Sequence, residues 1–220
     1  MTANEFLPEP LPPDPLPTFS TWFEVARVRA LQPNPNAMAI ATVGTDGLPA
    51  VRIVLVKELA ADAGYVVFYT NYRSRKGREL EATPRAEGVL HWDHLQRQVR
   101  IAGPVVKSPA AESDAYFATR PLESRIGAWA SMQSEPLASR ETLARQVFAV
   151  RERFSISDDH SAIVPRPSHW GGFRLWIDTL ELWVEGPGRV HDRARWRRTL
   201  TARGAHEFEC APWLATRLNP

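Results

Sequence analysis

Mostly antiparallel β-structure with helices inserted between the strands, an α+β protein built around a barrel, is the fold class this chain predicts. Three observations carry it. MAIATV, the turn GTDG and PAVRIVLVK form a β-hairpin signal, two alternating apolar runs joined by Gly and Asp. YVVFYT, GVLHW and QVRIAGPVV follow as further short strands. The pattern then turns helical after Ser108 and returns to strands at FRLWID, LELWVE and RVHDRARWRR, with a last strand near EFEC. No internal repeat or heptad pattern is present, and no GxGxxG marks a Rossmann dinucleotide site.

Taken in order, residues 1–17 (with LPEPLPPDPLP) are rich in proline and acidic side chains and predict a mobile arm ahead of a single domain over 18–220. Thr18 is positioned to cap a helix whose Phe19, Phe23, Ala26 and Ala30 share a face. In the strand QVRIAGPVV, Pro104 predicts a bulge or a sheet edge, because proline cannot donate to a ladder. Ser108-Pro109 starts a helix that ends before Pro121, and a short second helix covers 126–129. A third begins near Ser139, with Leu143, Val147, Val150 and Phe154 on one face. The loop VPRPSHWGG leads back to the strands.

Composition narrows the function classes. The chain has 220 residues, enough for a substantial core, and 24% of them are charged, which argues against disorder. A net charge of +2 is too small to imply a nucleic-acid partner. Cys210 is the single cysteine, so an internal disulfide and a cysteine zinc site are excluded, and no metal is expected. There is no apolar run of membrane-spanning length and no basic-then-apolar leader, so the expectation is a soluble cytoplasmic protein without a membrane partner.

The chemistry concentrates between Arg52 and Leu80. A strand with a charge at each end, Arg52 and Lys57, turns into a second strand ending at Tyr69 and Thr70. A helix start follows at Ser74-Arg75-Lys76. Unpaired N–H groups and the helix dipole at such a start suit a phosphate, and Arg75, Lys76 and the nearby hydroxyls add charge and donors. The plainer alternative is a solvated basic helix end beside an ordinary hairpin. Tyr116 and Arg120, and Arg120 and Ser124, are four residues apart; Pro121 breaks the helix, so Ser124 needs the turn to reach the other two. Strand alternation would put Arg189, His191 and Arg193 on one face, where three cationic groups favour an anion or a ring against them. A solvated edge strand is the alternative there, as is expected for Arg195, Arg197 and Arg198.

RIVLVK, FYTNYRSRKGREL, RQVRIAG, YFATRPLESRIGAWASMQS and ELWVEGPGRVHDR, in that order, resemble the pyridoxamine 5′-phosphate oxidase family. The resemblance runs from about Ala37 to the C-terminus. It implies a split β-barrel with peripheral helices, a homodimer binding FMN at the subunit interface, and oxidation of pyridoxine or pyridoxamine 5′-phosphate to pyridoxal 5′-phosphate with O2 as acceptor. By that similarity the FMN site comprises Arg52, Ile53, Val54, Leu55, Val56, Lys57, Tyr69, Thr70, Arg75, Lys76, Gln98, Gln133, Ser134, Trp183 and Arg193. The substrate phosphate falls to Lys57, Tyr116, Arg120 and Ser124, and Arg189 and His191 lie against the substrate ring as the catalytic pair. Arg52 and Lys57 are separated by an odd number, so in a regular strand they face opposite sides, and both reach one flavin only if the strand bends or ends near Lys57.

One departure from the family is plain. Its members often carry an arginine and a tyrosine in the N-terminal segment that close over the substrate, whereas here no arginine precedes Arg27 and no tyrosine precedes Tyr65. Residues 135–140 and His160 receive no role. Two rival readings remain: a related split-barrel flavin oxidase of another metabolite, such as a phenazine precursor, and a basic β-barrel binding nucleic acid through its arginine-rich strand. Lys57, Tyr116, Arg120 and Ser124 weigh against the first, because together they suit a phosphate.

Overall fold

The computed structural model describes residues 6–156 and 163–220, so His160 lies outside the described residues. The first helix, α1 (Leu16–Arg29), buries Phe19, Phe23 and Ala26 as their spacing predicts. It begins two residues before Thr18 and takes no side-chain cap, and Ala30 is its left-handed C-cap rather than part of the buried face.

Six strands then close a barrel: β1 (Ala37–Val43), β2 (Pro49–Ala60), β3 (Tyr65–Asn71), β4 (Arg85–Trp92), β5 (Arg97–Lys107) and β6 (Trp170–Trp176). The ladder runs β5-β4-β1-β2-β3-β6, and β6 returns to β5 to complete the ring. Alternation along β1 and β4 sends Met38, Ile40, Leu90 and Trp92 inward, fully buried. An eight-residue helix, α2 (Arg75–Ala82), follows β3, and its N-cap Ser74 accepts a hydrogen bond from the Gly77 N–H.

β5 is where the sheet divides. Residues 97–102 pair with β7 (Thr179–Val184), while 105–107 pair with β6. The change of partner falls at Gly103-Pro104, which is the physical content of the irregularity predicted at Pro104. A Cβ on Gly103 would sit 1.9 Å from the Trp176 carbonyl oxygen, so only glycine lets the chain cross there. Beyond β7 the sheet continues through β8 (Asp192–Arg197) to β11 (Leu214–Leu218), and β9 (Leu200–Ala202) pairs with β10 (Phe208–Cys210) as a separate hairpin.

Between β5 and β6 lie α3 (Ala110–Ala118), α4 (Leu122–Ala130) and α5 (Arg140–Arg153). The second of these is longer than the four residues expected, because Pro121 serves as its N-cap residue. α5 buries none of its residues fully; Phe154 at its end packs on Trp129 with ring centroids 5.3 Å apart.

Two further expectations need correction. Arg189 and His191 do not lie on a regular strand, since β8 starts at Asp192. Residues 187–189 form a 3-10 turn in which Gly188 and Arg189 both have φ of 64°. Part of the segment expected as an arm lies along the barrel. Leu7 is buried, its N–H donates to Asp192 Oδ2 at 2.7 Å, and the Trp196 indole N–H donates to the Pro12 carbonyl at 2.8 Å.

Candidate functional site

A cavity of about 660 Å³ opens between the outer face of β2, the ends of β3 and β6, and helices α3 and α4. Ile53, Leu55 and Lys57 reach it from β2 because they alternate with Ala50 and Val56, which face the core; Val54, largely buried, also touches the cavity. The β2–β3 register slips between Val56 and Glu58, so Lys57 is the extra residue of a bulge at the cavity rim. β3 supplies Tyr69 and Thr70, α2 supplies Lys76, and the turn after α4 supplies Gln133. Tyr116 and Arg120 come from the end of α3 and Ser124 from α4, the chain turn at Pro121 bringing Ser124 round to the same cavity.

The charge balance of this cavity is one-sided. Lys57, Lys76 and Arg120 line it, and no Asp or Glu does so among the described residues. Lys76 is buried, and its ammonium donates to Thr70 Oγ1 at 2.9 Å and Gln133 Oε1 at 3.0 Å. The Thr70 hydroxyl donates to Gln133 Oε1 at 3.0 Å. Burial, reinforced by the nearby Arg52 cation, lowers the Lys76 ammonium to about 8. Burial likewise lowers the Arg120 guanidinium, and its Nη1 is a buried donor with no hydrogen-bond partner among the described residues. Arg120 lines the cavity with no carboxylate partner among the described residues, so its positive charge is uncompensated there.

Aromatic rings form the wall. Tyr69 and Tyr116 stack at 3.9 Å and 15°, and Trp170 lies parallel to both, 5.4 and 6.2 Å away. Burial pushes the Tyr69 phenol up, so it stays a neutral donor. The strand bearing Trp170 comes this close because Gly171 and Gly172 follow: a Cβ at Gly171 would lie 2.1 Å from Tyr72 Oη.

Not all of the predicted site residues meet here. Arg52 and Arg75 are absent from the cavity lining and are joined beside it by Glu79. That buried carboxylate accepts from Arg52 Nη2 at 2.8 Å, from Arg75 Nε at 2.8 Å and from the Thr42 hydroxyl, which in turn accepts from Arg52. Burial pushes the Glu79 carboxyl up, but the hydrogen bonds from Thr42, Arg75 and Arg52 outweigh it and hold the group below the usual carboxylate range. The parity argument therefore holds for side chains: Lys57 faces the cavity and Arg52 faces away from it, toward Glu79. Val56 is core, and Ser134 sits in an exposed turn with φ of 75°.

A second cluster forms on the extended sheet. Gln98, Trp183 and Arg193 are direct cross-strand neighbours on β5, β7 and β8, on the face opposite the buried Val99, Leu182 and Ala194. His191 lies against Trp183 with ring centroids 4.6 Å apart, and its Nδ1 accepts from the Gly186 N–H at 3.3 Å. Arg193 makes a two-pronged ion pair with Glu181, at 3.0 and 2.8 Å. Neither these residues nor the exposed Arg189 line the cavity. The predicted residues thus fall into two patches of one chain, each with an open side. Trp170, Asn71, Thr42 and Glu79 went unremarked in the sequence; only Trp170 carried a signal, an aromatic residue directly before a Gly-Gly pair in the loop that returns to β6.

Comparison with known proteins gives a consistent result. Residues 25–154 match the family model described as pyridoxamine 5′-phosphate oxidase, and 170–220 match the model described as pyridoxine 5′-phosphate oxidase C-terminal dimerisation region. A pyridoxine/pyridoxamine 5′-phosphate oxidase of Burkholderia orbicola is 48% identical over 94% of this chain and 90% of its own length. One from Thermosynechococcus vestitus is 50% identical over 94% and 89%. Among solved structures, PhzG from Burkholderia lata, in complex with tetrahydrophenazine-1-carboxylic acid, superposes with a TM-score of 0.80 at 28% identity, covering 96% of this chain and 95% of that one. An FMN-binding protein from Nostoc punctiforme shares the fold alone, with a TM-score of 0.66 at 16% identity over 94% and 97%.

Proposed function

Because the chain belongs to the pyridoxamine 5′-phosphate oxidase family, we propose that it oxidises pyridoxamine and pyridoxine 5′-phosphates to pyridoxal 5′-phosphate, using FMN and O2. The observation that carries this reading is a cavity lined by Lys57, Lys76 and Arg120 and by no carboxylate among the described residues, which suits two phosphates: one on the cofactor and one on the substrate. The residues present fit FMN. Lys76 at the start of α2, with Thr70 of β3 and Gln133 from the turn after α4, would hold its phosphate, with Arg75 and Arg52 adding positive potential from beside the cavity. Bound FMN would supply the chemistry that no side chain here can perform, the two-electron oxidation of the substrate with O2 reduced to H2O2; for the amine substrate, water would supply the aldehyde oxygen and ammonia would leave.

The chain's own residues bind, orient and exclude water. Tyr116, Arg120, Ser124 and Lys57 would take the substrate phosphate, and Arg120 would bring to it a charge that no carboxylate neutralises among the described residues. Arg189 would press the substrate ring in place; a guanidinium keeps its proton at neutral pH, so its role is positional and electrostatic. His191, held by the Gly186 N–H, would hydrogen-bond the substrate. These last two stand on the second patch, so the complete site would need two copies of the chain: the cavity of one faced by the Gln98, Trp183 and Arg193 patch of its partner. The match of 170–220, which carries Trp183 and Arg193 of that patch, to a dimerisation region supports this arrangement.

An absorption spectrum tests the reading. The purified protein should be yellow, release FMN on denaturation, and bleach when pyridoxamine phosphate is added without air. A protein that stays colourless with excess FMN would overturn the proposal. Bleaching by tetrahydrophenazine-1-carboxylic acid and not by pyridoxamine phosphate would instead favour a PhzG-like activity.

A further inference from the structure

Arg120 lines the cavity and is held differently from several arginines elsewhere in the protein. Arg52 and Arg75 are pinned by Glu79, Arg193 by Glu181, and Arg174 by Glu112. Arg120 has no carboxylate partner among the described residues. Its guanidinium carbon lies 4.5 Å from the centroid of the Trp170 ring and 5.5 Å from that of Phe117. Trp170 is itself fixed. Its carbonyl accepts from Arg166 Nη1 at 2.7 Å, its ring meets the Phe117 ring edge-on at 5.1 Å, and it is parallel to the Tyr69 and Tyr116 rings.

We infer that Trp170 is a positioning residue for substrate specificity: its ring face holds Arg120 in place for the substrate's anionic group without neutralising it. The physical reason lies in the choice of partner. A carboxylate would hold the guanidinium equally well but would cancel its charge and compete with the incoming phosphate. An indole face attracts the cation through its quadrupole, strongly where water is excluded, and leaves the N–H edge free. The Arg120 guanidinium lines the cavity while resting on the Trp170 ring, so its charge stays available there. The inference rests on the proposed reading that Arg120 receives a substrate phosphate; what it adds is the source of the selectivity for a charged over an uncharged substrate.

The test uses the FMN-loaded enzyme and four variants: Trp170→Phe, Trp170→Leu, Arg120→Ala and the double variant Trp170→Leu/Arg120→Ala. A cation–π contact in a desolvated site corresponds to roughly a 3- to 30-fold change in affinity. Trp170→Leu should therefore raise KM for pyridoxamine phosphate by about 3- to 30-fold, with kcat at saturation held within about twofold. Trp170→Phe, which keeps a weaker ring, should shift KM less. Calorimetric titration of the loaded enzyme with inorganic phosphate should show the same ranking without turnover. In the Arg120→Ala background, Trp170→Leu should add nothing further. Equal effects of Trp170→Leu with and without Arg120 would overturn the inference, as would an unchanged KM and phosphate affinity in Trp170→Phe and Trp170→Leu alike. If Trp170→Leu does not fold, Trp170→Phe in the two Arg120 backgrounds makes the same distinction. A wild-type enzyme that uses pyridoxamine and its phosphate equally would overturn the phosphate reading itself; a phosphate-selective wild type with indifferent Trp170 variants would sink only the role given to Trp170.

Discussion

Lys76 shows what burial does to a single charge. An ammonium with its pKa near 8 inside a cavity is a cation kept short of its solvent shell, and an anion restores what burial removed. Two consequences follow. In the protein alone, the native state sheds this proton near pH 8 while the unfolded chain keeps it to about 10.5, so the Lys76 contribution to stability rises with pH across that window. For the ligand the sign is opposite. FMN affinity should fall by about tenfold per pH unit above 8, because the ammonium must be protonated to bind phosphate. Riboflavin, lacking the phosphate, should show no such slope, and Lys76→Met should abolish it for FMN; fluorescence titration between pH 7 and 9.5 measures all three. At the other end of the cavity, Arg120→Ala and Lys57→Ala should each lower kcat/KM for pyridoxamine phosphate by about 10- to 100-fold. That is the equivalent of ~1.5–3 kcal/mol for a hydrogen bond to a charged group. Activity on unphosphorylated pyridoxine should barely change, and steady-state kinetics with the two substrates decides it.

Among the elements, the N-terminal segment changes most between composition and structure. Proline-rich and acidic, residues 6–15 nevertheless lie on β8 and β11. Arg217 of β11 grips them, donating to Glu9 Oε2 at 2.9 Å and to the Pro8 carbonyl at 3.0 Å, while its Nη1 holds Asp192 at 2.6 Å. Asp192 in turn receives the Leu7 N–H. Leu7 is buried and Leu11 packs on the core. Deleting residues 1–15 should cost about 3 kcal/mol of apolar burial, lowering Tm by about 6–12 °C in a thermal scan. Arg217→Ala is the finer test. It should speed hydrogen exchange at the Leu7 amide by about tenfold and leave the exchange of β1 and β4 amides unchanged, since only the grip on the segment is lost.

For the whole molecule, the arrangement of two patches makes a prediction that no single-chain site would make. Arg120→Ala disables the cavity of a chain, and Trp183→Ala disables the patch it offers its partner. If each site takes its cavity from one chain and its patch from the other, mixing the two inactive proteins and letting subunits exchange gives mixed dimers. Each of these has one intact and one doubly damaged site. Random exchange then restores about a quarter of wild-type activity, since about half the dimers are mixed. A mixture that stays as inactive as its components, despite exchange seen by native mass spectrometry, would place both residues in one chain's site. The chain also presents Val51 and Ile53 in the open on β2, beside the cavity, and Phe148 on α5, apolar surface consistent with a covered face. No helix among the described residues is long and apolar enough to cross a membrane.

Local patterning was enough for much of this molecule. The hairpin from Met38 to Lys57, the N-cap at Ser74, the helix start at Ser139 and the buried face of α1 all depend on residues within a few positions of one another. Alternation, capping and the 3.6-residue period act over that range. It also separated Lys57 from Arg52, because parity along a strand is a local property. What lay beyond it depends on partners far away in the chain. Nothing near Gly103 says that β5 passes from β7 to β6 there; the Trp176 carbonyl, which allows only glycine at that crossing, is more than seventy residues away. Arg189 is the exception, since its reason is local: Gly186, Pro187 and Gly188 bend the backbone just ahead of it, and a Cβ at Gly186 would strike the Val190 carbonyl at 1.8 Å. Glu79 between two arginines and Trp170 under Arg120 arise only when β1, β2 and α2, or α3 and β6, are packed together. Which charges meet a carboxylate, and which meet a ring and stay free for a ligand, was decided by that packing alone.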